Sequence, residues 1–206
     1  VYIPKPFNIT DISRLHDFVE NYPFATLISQ KNQDFDVTHV PVLLDRNQGE
    51  KGTLSWHVAK ANPHATAFDE LKSALLIFQG PHAYISHTWY KTALSVPTWN
   101  YAVVHAYGEP TKVSHECLSA DLSKMMSVFE KSTPETSVIF ESYKSAQLDH
   151  IVGFRMEISR IEGKFKLGQN RSTEDQEGML QGLCKTNTPA GIELAEFIQG
   201  MCKNLS

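Results

Sequence analysis

The sequence predicts an α+β fold, a β-barrel of about six or seven antiparallel strands with helices at both ends and in one central insertion. Three observations predict it. Short apolar or alternating runs recur between polar turn segments. Amphipathic helical patterns sit at the start, in the middle and at the end of the chain. The chain has 206 residues, 41% hydrophobic and 20% charged, enough for one domain with a sizeable core.

The first helix is capped by Asn8 or Thr10, carries Ile12, Leu15, Phe18 and Val19 on one face, and stops before Pro23. Strands follow at 24–29 and 36–44, joined by the polar loop Lys31-Asn32-Gln33-Asp34. Pro41 removes a ladder donor, so its strand belongs at an edge or a bulge. A third strand covers 52–58. A short helix then begins near Asn62, with Pro63 in its first turn. The apolar run 74–78 reads as a strand buried on both faces. Strands at 83–86 and 101–107 continue the sheet, and the loop between them holds Trp89, Tyr90, Pro97, Trp99 and Asn100.

Ser114 caps the central helix, whose stripe is Leu118, Leu122, Met125, Met126 and Phe129. A short helix is expected between Thr136 and Leu148. Then Val152, Phe154, Met156 and Ile158 alternate with polar or small residues, as in a strand that Gly163 turns. Two helices close the chain, at about 172–183 and 189–202.

Composition narrows the function. A net charge of −4 gives no general attraction for nucleic acid. Cys117, Cys184 and Cys202 form no C-x-x-C pair, and such sparse thiols fit a reducing compartment. The first residues lack the apolar core of a signal peptide, and no stretch is long enough to span a bilayer. A cytoplasmic protein is expected. Nine histidines show no H-E-x-x-H or Cys/His quartet, so no metal site is expected. Haem through an axial histidine is the less favoured cofactor. Rossmann, Walker and nucleophile-elbow signatures are absent, and no general base stands out.

Four segments are richer in polar and aromatic residues than a plain barrel needs. They are Thr38-His39-Val40-Pro41, the run from Ser55 to His64, the run from Gln79 through Trp89 to Tyr101, and the run from Lys164 to Arg171. Lys60 stands just before a helix start, where an ammonium, backbone N–H groups and the helix dipole favour a phosphate; a solvated turn lysine is the plainer reading. The aromatic run suits a planar ligand or a partner subunit, or else core beneath a loop. The basic run reaches a phosphate or ring edge, or serves as a solvated strand exit.

Across these segments the chain resembles the PaiB family, named for FMN binding and negative transcriptional regulation. The resemblance lies in Tyr2-Ile3-Pro4-Lys5-Pro6-Phe7, the run from Gly52 to Pro63 with Ser55-Trp56-His57-Val58-Ala59-Lys60, Phe78-Gln79-Gly80-Pro81-His82-Ala83-Tyr84-Ile85-Ser86, Val96-Pro97-Thr98-Trp99-Asn100-Tyr101 and Ile151-Val152-Gly153-Phe154. Two positions depart from it: His87 where members usually carry proline, and Gly168 where they carry serine.

The resemblance implies an FMN-binding split β-barrel, similar to the pyridoxine-phosphate oxidase group, that works as a homodimer with the ligand at the subunit interface. It implies that Trp56, His57, Lys60 and Asn62 line the ribityl phosphate and that His39 and Val40 face the isoalloxazine. Gln79, Trp99 and Asn100 would approach from neighbouring strands, and Lys166, Gln169 and Asn170 from the partner. The fold locates such a site without fixing its use. A ligand-responsive regulator that contacts DNA is the favoured function, although the net charge does not support DNA binding. An FMN-dependent oxidoreductase and a haem-binding protein are the alternatives.

Overall fold

Helix α1 (Ile12–Asn21) buries Leu15, Phe18 and Val19, the stripe its 3.6-residue period marks out. The computed structural model describes residues 1–31, 33–92, 95–130 and 146–203. Ten strands are defined among them: β1 (Asn8–Ile9), β2 (Phe24–Lys31), β3 (Asp34–Pro41), β4 (Leu43–Asp45), β5 (Thr53–Ala59), β6 (Ala74–Ile85), β7 (Thr98–Gly108), β8 (Pro110–Lys112), β9 (Ile151–Glu157) and β10 (Arg160–Lys166). The further helices are α2 (His64–Ala67), α3 (His115–Phe129), α4 (Thr173–Thr186) and α5 (Pro189–Lys203).

The chain forms two compact units from interleaved segments. The first takes Val1–Asp11, Gln79–Val104 and Glu162–Ser206, and the second takes Ile12–Phe78 and His105–Ile161. Strands β6 and β7 each have one end in each unit.

In the first unit β1 pairs antiparallel with β10, Asn8 opposite Lys164. Helix α4 is capped by Ser172, whose hydroxyl accepts the Asp175 N–H, and it packs on α5 through Met179, Leu183, Leu194 and Ile198. Two glycines on α4 receive Trp89. A Cβ on Gly178 would stand 2.2 Å from the Trp89 carbonyl oxygen, and one on Gly182 would stand 2.2 Å from its ring. Asp175 is buried and accepts the N–H groups of Lys91 and Thr92 at 2.8 and 3.0 Å, and the Thr92 hydroxyl at 2.7 Å. These bonds, the Thr92 hydroxyl first, hold its carboxyl below the usual carboxylate range and fix the chain that follows Trp89 to α4.

In the second unit β2 lies between β3 and the Ala74–Phe78 part of β6, with Leu27 opposite both Thr38 and Leu76. A separate sheet runs β4-β5-β9-β8. On one face of it Leu54, Trp56, Val58, Phe154 and Met156 are all buried, and Trp56 stacks on Phe154 at 5.9 Å. Helix α3, capped by the Ser114 hydroxyl, lies on the other face. Leu118 fits against Gly153, where a Cβ would come within 2.8 Å of it. Of the expected α3 stripe only Leu118 is buried; Leu122, Met125 and Met126 are half-exposed and Phe129 is exposed.

The expected fold class, α+β with antiparallel strands, holds. The strand count exceeds expectation because β1, β4 and β8 have only two or three residues and so leave no readable period, and because β10 runs where a turn at Gly163 was expected. The strands expected at 74–78 and 83–86 are one continuous strand, β6, in which Pro81 is buried in extended chain. Thr98, Trp99 and Asn100 lie in β7 and not in the loop. Gly163 sits inside β10 opposite Ile9, and the reversal falls earlier, where the Ser159 N–H bonds the Tyr107 carbonyl. The helix expected at 136–148 falls mostly outside the described residues.

Candidate functional site

Strand alternation decides which side chains can meet a ligand. His39 and Val40 are neighbours on β3, yet His39 is exposed and stacks on Phe24 at 6.2 Å while Val40 is buried. On β5 His57 is half-exposed and Trp56 is turned into the core. On β7 Trp99 is exposed whereas Asn100 is buried, its amide donating to Met179 Sδ at 3.1 Å. The side chains of Val40, Trp56 and Asn100 are thus buried, while His39, His57 and Trp99 stand more open.

In the second unit a polar network builds the turn that carries Lys60. Asn62 Nδ2 donates to Thr38 Oγ1 at 3.1 Å, and Asn62 Oδ1 accepts the His64 N–H at 2.9 Å. Thr38 Oγ1 lies 2.8 Å from His64 Nδ1, and His64 Nε2 lies 3.1 Å from Ser29 Oγ. The Lys60 N–H donates to the His150 carbonyl at 2.9 Å. Asn62 therefore shapes the turn rather than facing outward. The Lys60 side chain is exposed and has no hydrogen bond or ion pair among the described residues. Helix α2 has only four residues, so its dipole adds little to this turn.

His64 is fully buried and stacks on Phe68 at 5.3 Å. Burial pushes its pKa below the ordinary histidine value, with the Asp36 charge acting the other way, and burial does the same to His57. Below about pH 6.5 the unfolded chain therefore binds protons that the folded chain resists. Stability is expected to be complete above that pH and to fall as pH drops through the lowered folded values. Thermal melts at pH 7.5 and pH 5.5 check this, and His64→Gln should shrink the difference between them. Sequence reasoning passed over His64 because it resembles any turn histidine; only the Thr38 and Ser29 hydroxyls beside it reveal its place.

In the first unit Gln79, His82, Trp99, Tyr101 and Val103 line an open concavity of about 310 Å³. The Trp99 ring stands 6.4 Å from His82 and meets Tyr84 edge-on at 6.1 Å. Gln79 Nε2 lies 3.4 Å from His82 Nδ1. Lys166 donates to the Thr98 hydroxyl and to the Trp99 carbonyl. Burial, then the charges of Lys164 and Arg171, push its pKa below the usual lysine value. Lys164 stands 5.4 Å from the Tyr101 ring and Arg171 stands 4.6 Å from the Tyr90 ring. Gln169 turns its amide back to the Leu167 N–H and the Phe165 carbonyl, beside Gly168 at φ +87°. Asn170 is exposed, with no side-chain partner among the described residues. Lys164, Arg171 and His82 lie in the candidate segments but were not singled out as contacts. The Lys-x-Lys spacing of Lys164 and Lys166 is the signal that places both on one face of a strand.

A family model described as "Putative FMN-binding domain" matches residues 1–160. The chain belongs to this FMN-binding domain family. A relative, "Protease synthase and sporulation protein PAI 2" of Bacillus subtilis, is 30% identical over 207 residues, covering 98% of this chain and 99% of the relative. Among solved structures, the FAD and haem binding protein of Mycobacterium smegmatis aligns with a TM-score of 0.58 at 13% identity, over 82% of this chain and 78% of that one. The flavocytochrome Anf3 of Azotobacter vinelandii aligns with a TM-score of 0.57 at 14% identity, over 83% and 75%. At such identities the likeness shows the fold alone, and it agrees with the split β-barrel class expected of the family.

The chemistry of the residues fits the flavin that the family implies. FMN needs a cation for its phosphate, a flat apolar surface for its ring and polar groups at the ring edge. In the second unit Lys60 offers an uncommitted ammonium; in the first, Lys166 offers a partly desolvated one, and the Trp99 concavity offers a surface that Gln79 also lines. Among the described residues Trp56 Nε1 is a buried donor without a partner. Such a group costs about 1–3 kcal/mol.

Proposed function

We propose that this chain binds FMN as a homodimer and serves as a ligand-responsive negative regulator of transcription in the cytoplasm. The observation that carries the flavin reading is Lys60, an exposed cation without a protein partner on a turn fixed by Asn62, Thr38 and His64. Lys60 and His57 hold the phosphate. His39, Gln79 and Trp99 meet the ring, with Val40, Trp56 and Asn100 contributing backbone groups and Asn62 shaping the turn. Lys166, Gln169 and Asn170 come from the partner subunit, where Lys166 supplies charge and Gln169 and Asn170 supply the loop. Bound FMN would supply a planar, redox-active ring.

The membership and the full-length likeness to the Bacillus subtilis protein support the reading. No helix among the described residues is long and apolar enough to cross a membrane. A haem reading draws on His82, an imidazole beside the aromatic concavity.

One set of measurements tests the proposal. Purified protein incubated with FMN and desalted should retain the flavin spectrum at about one FMN per chain, and light scattering should give twice the chain mass. A Soret band in place of the flavin bands would shift the reading to haem, and a colourless sample would end it. The regulatory part predicts a salt-sensitive mobility shift of some genomic fragment; no shift at low salt across a fragment pool would remove it.

A further inference from the structure

We propose that the cleft between α3 and the four-stranded sheet binds a small zwitterion of the free α-amino acid class. This goes beyond the flavin reading and uses none of its residues. The cleft holds about 250 Å³ and is lined by Asp45, Thr53, Ser55, Asp121, Lys124 and Arg155, with Leu43 and Ala120 as an apolar wall. All of these lie in the second unit.

Ser55 makes the cleft more than a charged surface. It is only 9% exposed, it lines the cleft, and its hydroxyl has no partner among the described residues. That hydroxyl opens onto the cleft, so it takes its hydrogen bond from whatever fills the cleft. The Thr53 hydroxyl already donates to the Gln48 carbonyl at 2.9 Å, so toward the cleft it can only accept.

The charges choose the ligand. Arg155 grips Asp121 through Nε and Nη2 at 3.1 and 2.7 Å, which leaves Nη1 and further carboxylate lone pairs open. Lys124 and Asp45 stand 3.6 Å apart, beyond hydrogen-bond length. A ligand carboxylate can meet Lys124 and Ser55 while its ammonium meets Asp45. Two acids and two bases cancel. A phosphate or dicarboxylate would be repelled by the two aspartates, and a polyamine by Lys124 and Arg155. An apolar molecule would leave Ser55 unpaired. A molecule carrying one charge of each sign meets Lys124, Ser55 and Asp45 without adding a net charge, and its side chain can lie on Leu43 and Ala120.

Calorimetric titration of the intact protein with each of the twenty free L-amino acids at up to about 10 mM tests this. At least one should bind with a Kd of about 1 mM or tighter. Its N-acetylated and amidated forms, each lacking one charge, should bind at least about tenfold more weakly. Lys124→Met, at a side chain 52% exposed and so remote from folding, should cost about tenfold. Ser55→Ala should cost about threefold or more. FMN uptake on the same samples should not change, so failure here is distinct from failure of the flavin reading. The proposal is overturned if no free amino acid binds, if the blocked forms bind equally well, or if both variants bind like the parent.

Discussion

Lys60→Ala is expected to weaken FMN binding by about ten- to a hundredfold while leaving riboflavin binding within about twofold. Only FMN carries the phosphate, so the difference between the two ligands isolates the role of the ammonium. The substitution should leave the fold intact, because the side chain is exposed and the turn is held by Asn62, Thr38 and the Lys60 backbone bond to His150. Binding of FMN to the parent should weaken with added salt, and that dependence should flatten in the variant. Fluorescence quenching titrations of both flavins at two salt concentrations provide the check. Equal losses for the two flavins would remove Lys60 from the phosphate, and Lys166→Ala would become the variant to measure.

Phe154→Ala should lower stability by about 3–5 kcal/mol, the range for deleting a fully buried aromatic ring. Phe154 is 0% exposed, stacks on Trp56 at 5.9 Å and meets Phe68 edge-on at 5.3 Å. The hole would open beside the Trp56 and Phe68 rings in the second unit, where neighbours on paired strands have little room to collapse. For a chain of this size the loss corresponds to roughly 2–4 °C of Tm for each kcal/mol. Denaturant melts and calorimetry measure it. A loss under about 1 kcal/mol would mean that this cluster is not the packed centre of its sheet.

Legibility in the sequence followed the length of the element. Ser114 could be read as the cap of α3 from its own chemistry, and the stripe of α1 could be read because several residues repeat one signal. The strand from Val152 was readable for the same reason. The strands read at 74–78 and 83–86 proved to be one, since the polar segment between them is carried through in a single long strand. The site was legible as segments and not as side chains. Motifs such as His39-Val40, Trp56-His57 and Trp99-Asn100 name adjacent residues, and in each pair the strand turns one of them inward. Asn62 shows a second limit: its amide is consumed by Thr38 and His64, partners far away or hidden in the fold. Lys60 was legible because its meaning depends only on being cationic and exposed.

The interleaving of segments bears on how the protein can be made. The first unit pairs Asn8 with Lys164, so β1 leaves the ribosome long before the strand it pairs with. Closing so long a loop costs entropy before any contact rewards it. The second unit also draws on residues after His105, so neither can be completed by an early fragment. No single cut yields either unit whole, because β6 and β7 would be severed with it. Nascent chains stalled before β10 would leave β1 without its partner strand, exposed to the cell's quality-control machinery.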